Sequence, residues 1–326
     1  MILVTGAKGQ IGSDLTAALR QRYGAEAVLE TDLQAAPVNS AGEHAPLYRT
    51  LDVTDKERLE ELIASHQVDT IYHLASLLSA RGEDNPDQCW RINIDGLRNV
   101  LDAARRHGIR VFWPSSIAVF GKHAPRVDTP QYTVLQPSTM YGVTKVAGEL
   151  LCQYYAERFQ VDVRSLRLPG IISYTANAGG GTTDYAVEIF REALTTGRYT
   201  CFVRPDTRLP MMYMPDTIRA MLELMEADSE AITVRTSYNL AGFSFTAGEL
   251  AEEIRRHLPT FECQFVPDFR QEIADTWPVS IDDSQARQDW GWKAEFDLPA
   301  IVSDMLTNLR EHMERRAVAS GSQPTR

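Results

Sequence analysis

Short apolar blocks alternate with longer stretches of helical period through the first half of the chain. Residues 1–5, 27–31, 47–51, 70–75, 110–114 and 162–168 read as buried strands. Residues 55–66, 86–107 and 141–159 read as helices, the first of them capped by Thr54 or Asp55. A further amphipathic helix runs from a glycine turn at 6–12 to about Arg22. Repeated strand–helix units predict an α/β fold, a Rossmann-type doubly wound parallel sheet with helices on both faces. Ligands of such sheets bind beyond the carboxyl ends of the strands. The informative loops are therefore those after Thr5, Thr31, Leu51, Ala75, Pro114 and Leu168.

Past residue 171 the alternation is less regular. Helices are predicted at 185–195, 246–257 and 298–313, with short strands at 211–214, 238–241 and 262–266. A small C-terminal substrate lobe follows, built from pieces near 172–200 and 243–280 and interleaved with the main sheet. Residues 1–171 form the dinucleotide-binding domain, and segments near 201–242 return to it. Residues 172–316 supply mainly the lobe and closing helices, and 317–326 a disordered tail. The polar stretch 34–45 is a connection. His73, Met211, Met212 and Met214 read as core, and Asp216 as a helix cap.

The net charge of −11 argues against nucleic acid, whose phosphates need a basic face. No stretch approaches the ~20 apolar residues of a membrane span. Met1 lies directly on the first strand, which leaves no room for a leader and predicts a cytoplasmic protein. Cys89, Cys152, Cys201 and Cys263 form no CxxC pair and read as reduced thiols. No cluster has metal-ligand spacing, so no metal is expected.

The glycine turn carries the first chemistry. Gly6 allows a tight exit from the strand, Gly9 lets backbone approach phosphates, and Gly12 lets the helix pack on the sheet. The helix N-terminus then offers free N–H groups to an anion. Asp32 ends the second strand, where an acid accepts from the adenosine ribose and repels a 2′-phosphate. The cofactor expected is NAD, unless Asp32 merely starts a turn.

Tyr141 and Lys145 are four residues apart, one turn along one helical face. An ammonium favours the phenolate, and a phenolate can take a proton from a substrate hydroxyl as hydride leaves. Ser116 ends the 110–114 strand and can hold the same oxygen, or serve as a strand-end turn.

With these residues in order, the chain resembles the extended short-chain dehydrogenases/reductases over residues 1–313. The resemblance rests on GAKGQIG at 6–12, Asp52-Val53, HLAS at 73–76, Asn93, PSS at 114–116 and YGVTK at 141–145. It implies that Lys145 also holds the nicotinamide ribose, that Asp52 and Val53 lie along adenine, and that Leu74, Ala75 and Ser76 flank pyrophosphate and ribose. The expected cofactor set further takes in Gln10, Ile11, Leu33, Asn93, Ser115, Pro169 and Ile171. The helices at 86–107 and 141–159 resemble those that pair such subunits, which implies a homodimer.

LLSA at 77–80, FWPSSIAVFG at 112–121, LPGIIS at 168–173, GGGTTDYA at 179–186 and LPMMYM at 209–214 are similar to the short-chain type of L-threonine 3-dehydrogenase. Leu168 departs from an aromatic frequent before Pro-Gly in that group. The narrower resemblance implies oxidation of L-threonine at Cβ to 2-amino-3-oxobutanoate, with hydride passing to nicotinamide C4 and Tyr141 as general base. Ser79, Thr182, Thr183, Asp184 and Trp277 are the substrate candidates beside Ser116 and Tyr141. Thr182, Thr183 or Asp184 would equally cap a helix, with Gly179–Gly181 as a hinge, and Trp277 would equally serve as core. A nucleotide-sugar 4-epimerase or dehydratase shares every superfamily motif but needs a larger lobe. A non-catalytic NAD sensor would have no need of intact Ser116, Tyr141 and Lys145.

Overall fold

The computed structural model describes residues 1–35, 46–175 and 181–319. Most of the expected polar connection (36–45), the glycines Gly179 and Gly180, and tail residues 320–326 lie outside the described residues. The first six strands are β1 (Ile2–Thr5), β2 (Val28–Asp32), β3 (Leu47–Thr50), β4 (Thr70–His73), β5 (Arg110–Ser116) and β6 (Val163–Leu168). The next six are β7 (Gly170–Ile172), β8 (Arg198–Cys201), β9 (Arg208–Tyr213), β10 (Tyr238–Asn239), β11 (Phe243–Thr246) and β12 (Glu262–Phe265). Seven of them form one sheet in the order β10-β6-β5-β4-β1-β2-β3. Every pair in it is parallel, which is the Rossmann-type sheet expected. The order reverses between β1 and β4, and a ligand crevice opens at that switch point.

Strand alternation distributes side chains to two layers. Leu3, Ile71, Val111 and Trp113 pack with Leu97, Leu101 and Cys152 on one face. Val4, Tyr72, Phe112 and Leu166 pack with Met212, Met214 and Met221 on the other. The methionines at 211, 212 and 214 are buried, as is His73. A third core joins Tyr185, Phe190, Phe245, Leu250 and Met305 around a sheet ordered β11-β9-β7, beside the pair β12-β8. The described thiols are free. No described helix is long and apolar enough to cross a membrane, and no group of His, Cys, Asp or Glu among the described residues is placed to hold a metal.

Strand β9 starts earlier than its apolar block, and β7, β8 and β11 went unpredicted. Helices Ser79–Asp84, Phe269–Ala274 and Ser284–Trp290 also went unpredicted, and the helix expected after Asp216 spans Met214–Glu226. The long helix expected at 86–107 is divided into Pro86–Trp90, a π-helical turn Arg91–Asp95 and Gly96–His107. Asp55 caps the helix Lys56–His66, and Thr246 forms a capping box with Glu249. Asp216 is not a cap, contrary to expectation. It lies inside the first turn of Met214–Glu226, and its carboxylate accepts from Glu295 N (3.0 Å), Phe296 N (3.2 Å) and Arg219 (2.7 Å). It anchors a distant loop instead. The last helix runs to Ala319, three residues into the stretch expected to be tail.

The helix Met140–Phe159 approaches the sheet through Gly148. A Cβ there would lie 2.4 Å from Trp113 Cη2. Alanine at an exposed helical glycine stabilises by about 1 kcal/mol. Here the ring blocks it, and overpacking of this kind costs about 1–3 kcal/mol. Gly148→Ala is therefore expected to lower stability in equilibrium urea unfolding; a gain would show that the ring yields freely.

Candidate active site

The glycine turn is packed too tightly for side chains. Gly6 has φ +70°, and a Cβ there would lie 2.7 Å from Ala75 N. A Cβ on Gly12 would lie 2.2 Å from Gly6 O. The helix Gln10–Tyr23 begins at Gly9 with no side-chain cap, so its first N–H groups face the crevice without a protein acceptor of that kind. This cradle fits the pyrophosphate of a dinucleotide. Asp32, next to the turn, accepts from Lys8 N (3.0 Å) and Gln34 N (3.2 Å). It thus starts a turn and lies beside the glycine turn. Leu33 beside it is exposed. Asp52 accepts from the backbone and hydroxyl of Thr54 (2.9 and 2.8 Å), while Val53 is buried against Gly96. These four residues gather at the β2–β3 edge, outside the central cleft.

The cleft itself brings together Ser115, Ser116, Tyr141 and Lys145 with Gly6, Gly9, Gln10, Ile11 and Gly12. Ser116 ends β5, and its hydroxyl accepts from Ala118 N at 3.2 Å. Tyr141 and Ser116 share a side-chain hydrogen bond. Lys145 is 2% exposed. Its Nζ donates to Pro114 O at 2.7 Å and lies 4.6 Å from the Trp113 ring centre and 5.4 Å from that of Tyr141. Burial pushes the phenol well above its ordinary range, and the Ser116 hydrogen bond opposes it. Burial pushes the Lys145 ammonium down to about 7. Without cofactor, desolvation therefore outweighs the mutual stabilisation expected from their spacing.

His73 lies beneath this floor. Its Nδ1 pairs with Thr5 Oγ1 at 2.8 Å, and burial holds it neutral, with its pKa lowered to about 3. Thr5 Oγ1 also accepts from Ala75 N (3.3 Å), which fixes the loop after β4. Asn93 does the same from the π-helical turn. Its Oδ1 accepts from Ser76 Oγ (3.1 Å) and Leu77 N (2.8 Å), and its Nδ2 donates to Thr144 Oγ1 (3.0 Å). Asn93 is buried and Ala75 turns inward, so neither lines the cleft, whereas Leu74 and Ser76 do.

The other wall carries Pro169, Ile171, Thr182, Thr183, Asp184, Ser79 and Trp277. Thr183 packs against Gly170, where a Cβ would lie 2.8 Å from its Cγ2. Asp184 accepts from Gly181 N at 2.7 Å and makes no side-chain cap bond to the helix Tyr185–Thr195. Trp277 is 7% exposed, lines the cleft and belongs to the third core, so it fills both roles left open by sequence. Leu78 and Pro114 line the cleft without having been named as site residues, and Leu168 and Gly181, the last residue of the expected hinge, join them. Pro114 acts through its carbonyl, which no side-chain pattern reveals.

The family model described as NAD dependent epimerase/dehydratase matches residues 2–241. An uncharacterized epimerase/dehydratase of Staphylococcus haemolyticus is 46% identical over 316 residues, covering 97% of this chain and 99% of the relative. The solved GalE-like L-threonine dehydrogenase from Cupriavidus necator, in its holo form, is 50% identical with a TM-score of 0.91, covering 94% of this chain and 99% of that one. L-threonine dehydrogenase from Phytophthora infestans is 48% identical with a TM-score of 0.91, covering 95% and 99%. Nearly the whole chain is matched, including the glycine turn and the helix of Tyr141 and Lys145. The chain belongs to the NAD dependent epimerase/dehydratase family.

Proposed function

We propose that the chain is an NAD-dependent dehydrogenase that oxidises L-threonine at Cβ to 2-amino-3-oxobutanoate. The carrying observation is the convergence of Ser116, Tyr141 and Lys145 in one cleft with the glycine turn. The likeness to solved threonine dehydrogenases over nearly full length supports the substrate. Bound NAD⁺ supplies the hydride acceptor and a positive charge that favours the phenolate. The glycine turn holds the pyrophosphate, Asp32 the adenosine ribose and Lys145 the other ribose. Ser116 orients the threonine hydroxyl, and Tyr141 takes its proton as the Cβ hydride leaves. Ser79, Thr182, Thr183 and Asp184 bind the polar groups at Cα, and Trp277 walls the site.

NADH formation should appear with L-threonine and not with UDP-glucose or 3-hydroxybutyrate. Tyr141→Phe should reduce kcat by ~10²–10⁴ while NAD binding persists. Because the phenol must lose a proton and burial raises its pKa, kcat of the wild type should climb toward alkaline pH. Activity of the Phe variant within a few-fold of wild type would remove Tyr141 as the base.

Asp32 should enforce NAD over NADP, since its carboxylate stands where a 2′-phosphate would come. Asp32→Ala is expected to narrow the ratio of kcat/KM for the two cofactors. A wild type that uses both equally would contradict this role.

Val143, Leu150 and Tyr154 are exposed on one face of the helix Met140–Phe159, at the seven-and-four spacing of a packing stripe. This face is proposed to pair two copies. Light scattering should give twice the chain mass, and Leu150→Glu should give one; a monomeric wild type would refute the pairing.

A further inference from the structure

We propose that Glu149 is a positioning residue for the transfer chemistry: it locks Ser115 and Arg167 into one buried cluster and is a buried carboxylate that favours the ammonium form of Lys145. The proposal deepens the dehydrogenase reading and rests on it for its kinetic consequence.

Glu149 is fully buried, with side-chain exposure of 0%. Its Oε1 accepts from Ser115 Oγ at 2.6 Å and from Arg167 Nε at 2.9 Å. Its Oε2 accepts from Arg167 Nη2 at 2.7 Å. Arg167 continues outward, donating from Nη1 to Gln131 O (2.9 Å) and Asn239 Oδ1 (3.0 Å). Three elements of the site are thereby joined at one carboxylate. Ser115 precedes Ser116 on β5, Arg167 precedes Leu168 and Pro169 at the end of β6, and Glu149 lies on the helix of Tyr141 and Lys145.

A buried ion pair is a weak source of stability, because desolvation offsets the attraction. An apolar trio would hold these elements together as well. What an apolar trio lacks is charge. Glu149 is one helical turn from Lys145 and two from Tyr141, about 6 and 12 Å along the axis. It therefore acts more strongly on the ammonium than on the phenol. Among the described residues, the other titratable groups that act on Lys145 are held in their neutral forms. His73 on β4 is held neutral, and burial raises the thiols of Cys89 and Cys152. Burial lowers Lys145 most; Cys152, Cys89 and then Glu149 oppose it, and of these three Glu149 is the carboxylate.

The consequence concerns one proton. When the Tyr141–Lys145 pair has lost a proton, the remaining one sits on nitrogen or on oxygen. Only the phenolate–ammonium form can accept from substrate. An anion nearer the nitrogen favours that form. Removing it makes the pair easier to deprotonate and leaves more of the remaining proton on the phenol.

Glu149→Gln keeps the shape and removes the charge. Its kcat plateau should fall about tenfold with KM for NAD little changed, and the acid limb of the kcat–pH profile should move to lower pH. Ser115→Ala, which cuts a tether and keeps the charge, should lose less and leave the limb in place. Independently of turnover, ¹⁵N NMR of the lysine Nζ groups, with Lys145 assigned by its loss in Lys145→Met, should show Lys145 titrating at lower pH in Glu149→Gln. The other lysines, Lys8, Lys56, Lys122 and Lys293, should be unmoved. Should the single variant fail to fold, Glu149→Gln with Arg167→Gln removes both charges and is expected to shift Lys145 in the same direction by a smaller amount. An unmoved Lys145 resonance, or a plateau loss with a fixed limb, overturns the role of Glu149. A wild type inert toward threonine whose Lys145 still responds to Glu149→Gln overturns the substrate reading alone.

Discussion

The site depends on burying the ammonium of Lys145 at the edge of a sheet. An ammonium taken from water without partners costs several kcal/mol or gives up its proton. The fold meets this cost from three directions. Pro114 presents a carbonyl, Trp113 and Tyr141 present ring faces, and Glu149 lies one turn along the helix. Each of these requires the helix Met140–Phe159 to lie close on β5, and Gly148 against Trp113 is what permits that approach. The same closeness brings Tyr141 to Ser116. Placement of the proposed catalytic groups thus accompanies the solvation of one buried charge by protein.

Polar side chains outside the cleft hold its loops in register. Asn93 spends both ends of its amide on the loop after β4 and on Thr144. Thr144 in turn donates to Tyr141 O at 2.7 Å, so the loop and the helix of Tyr141 are tied together. At the helix start, Thr139 accepts from Gly142 N (3.1 Å) and Glu83 accepts from Met140 N (2.6 Å). Glu83 belongs to the helix that begins with Ser79. A substrate candidate and the proposed base are therefore linked through a cap supplied by another element. Buried or half-buried networks of this kind fix geometry more than they add stability.

Period and motif made the cofactor half legible. Its strands are apolar runs, its turn is glycine-coded, and Tyr141 and Lys145 lie at helical spacing on a helix that exists. The substrate half was legible only in part. Strands β7, β8 and β11 lie where strand and helix no longer alternate regularly, and the helices at 79–84 and 269–274 are single turns or little more. Asp216 misled because an acid early in a helix satisfies the cap pattern locally, whereas its partners are about 80 residues away in sequence. Pro114 and Gly181 act through backbone atoms, to which composition is blind. Glu149 did leave a trace, since it continues the four-residue spacing of Tyr141 and Lys145, but an acid on a helix ordinarily signals a solvated face.

The division between the two halves has a physical basis that bears on specificity. A dinucleotide is bound mostly by backbone and by one acid, so its requirements are written as glycines and spacing. The side chains proposed for the substrate come from separate places: Ser79 after β4, Thr182 and Thr183 before Tyr185–Thr195, and Trp277 beyond Phe269–Ala274. Trp277 shows how such a wall is kept in place. Its carbonyl accepts from Arg126 Nε at 3.1 Å, and Val279 N donates to Arg126 O at 2.7 Å. Its ring meanwhile belongs to the third core. The wall is therefore set by the packing of the lobe as a whole, and a change of substrate in this fold is reached by altering that packing while the floor of Lys145, Tyr141 and Ser116 stays as it is.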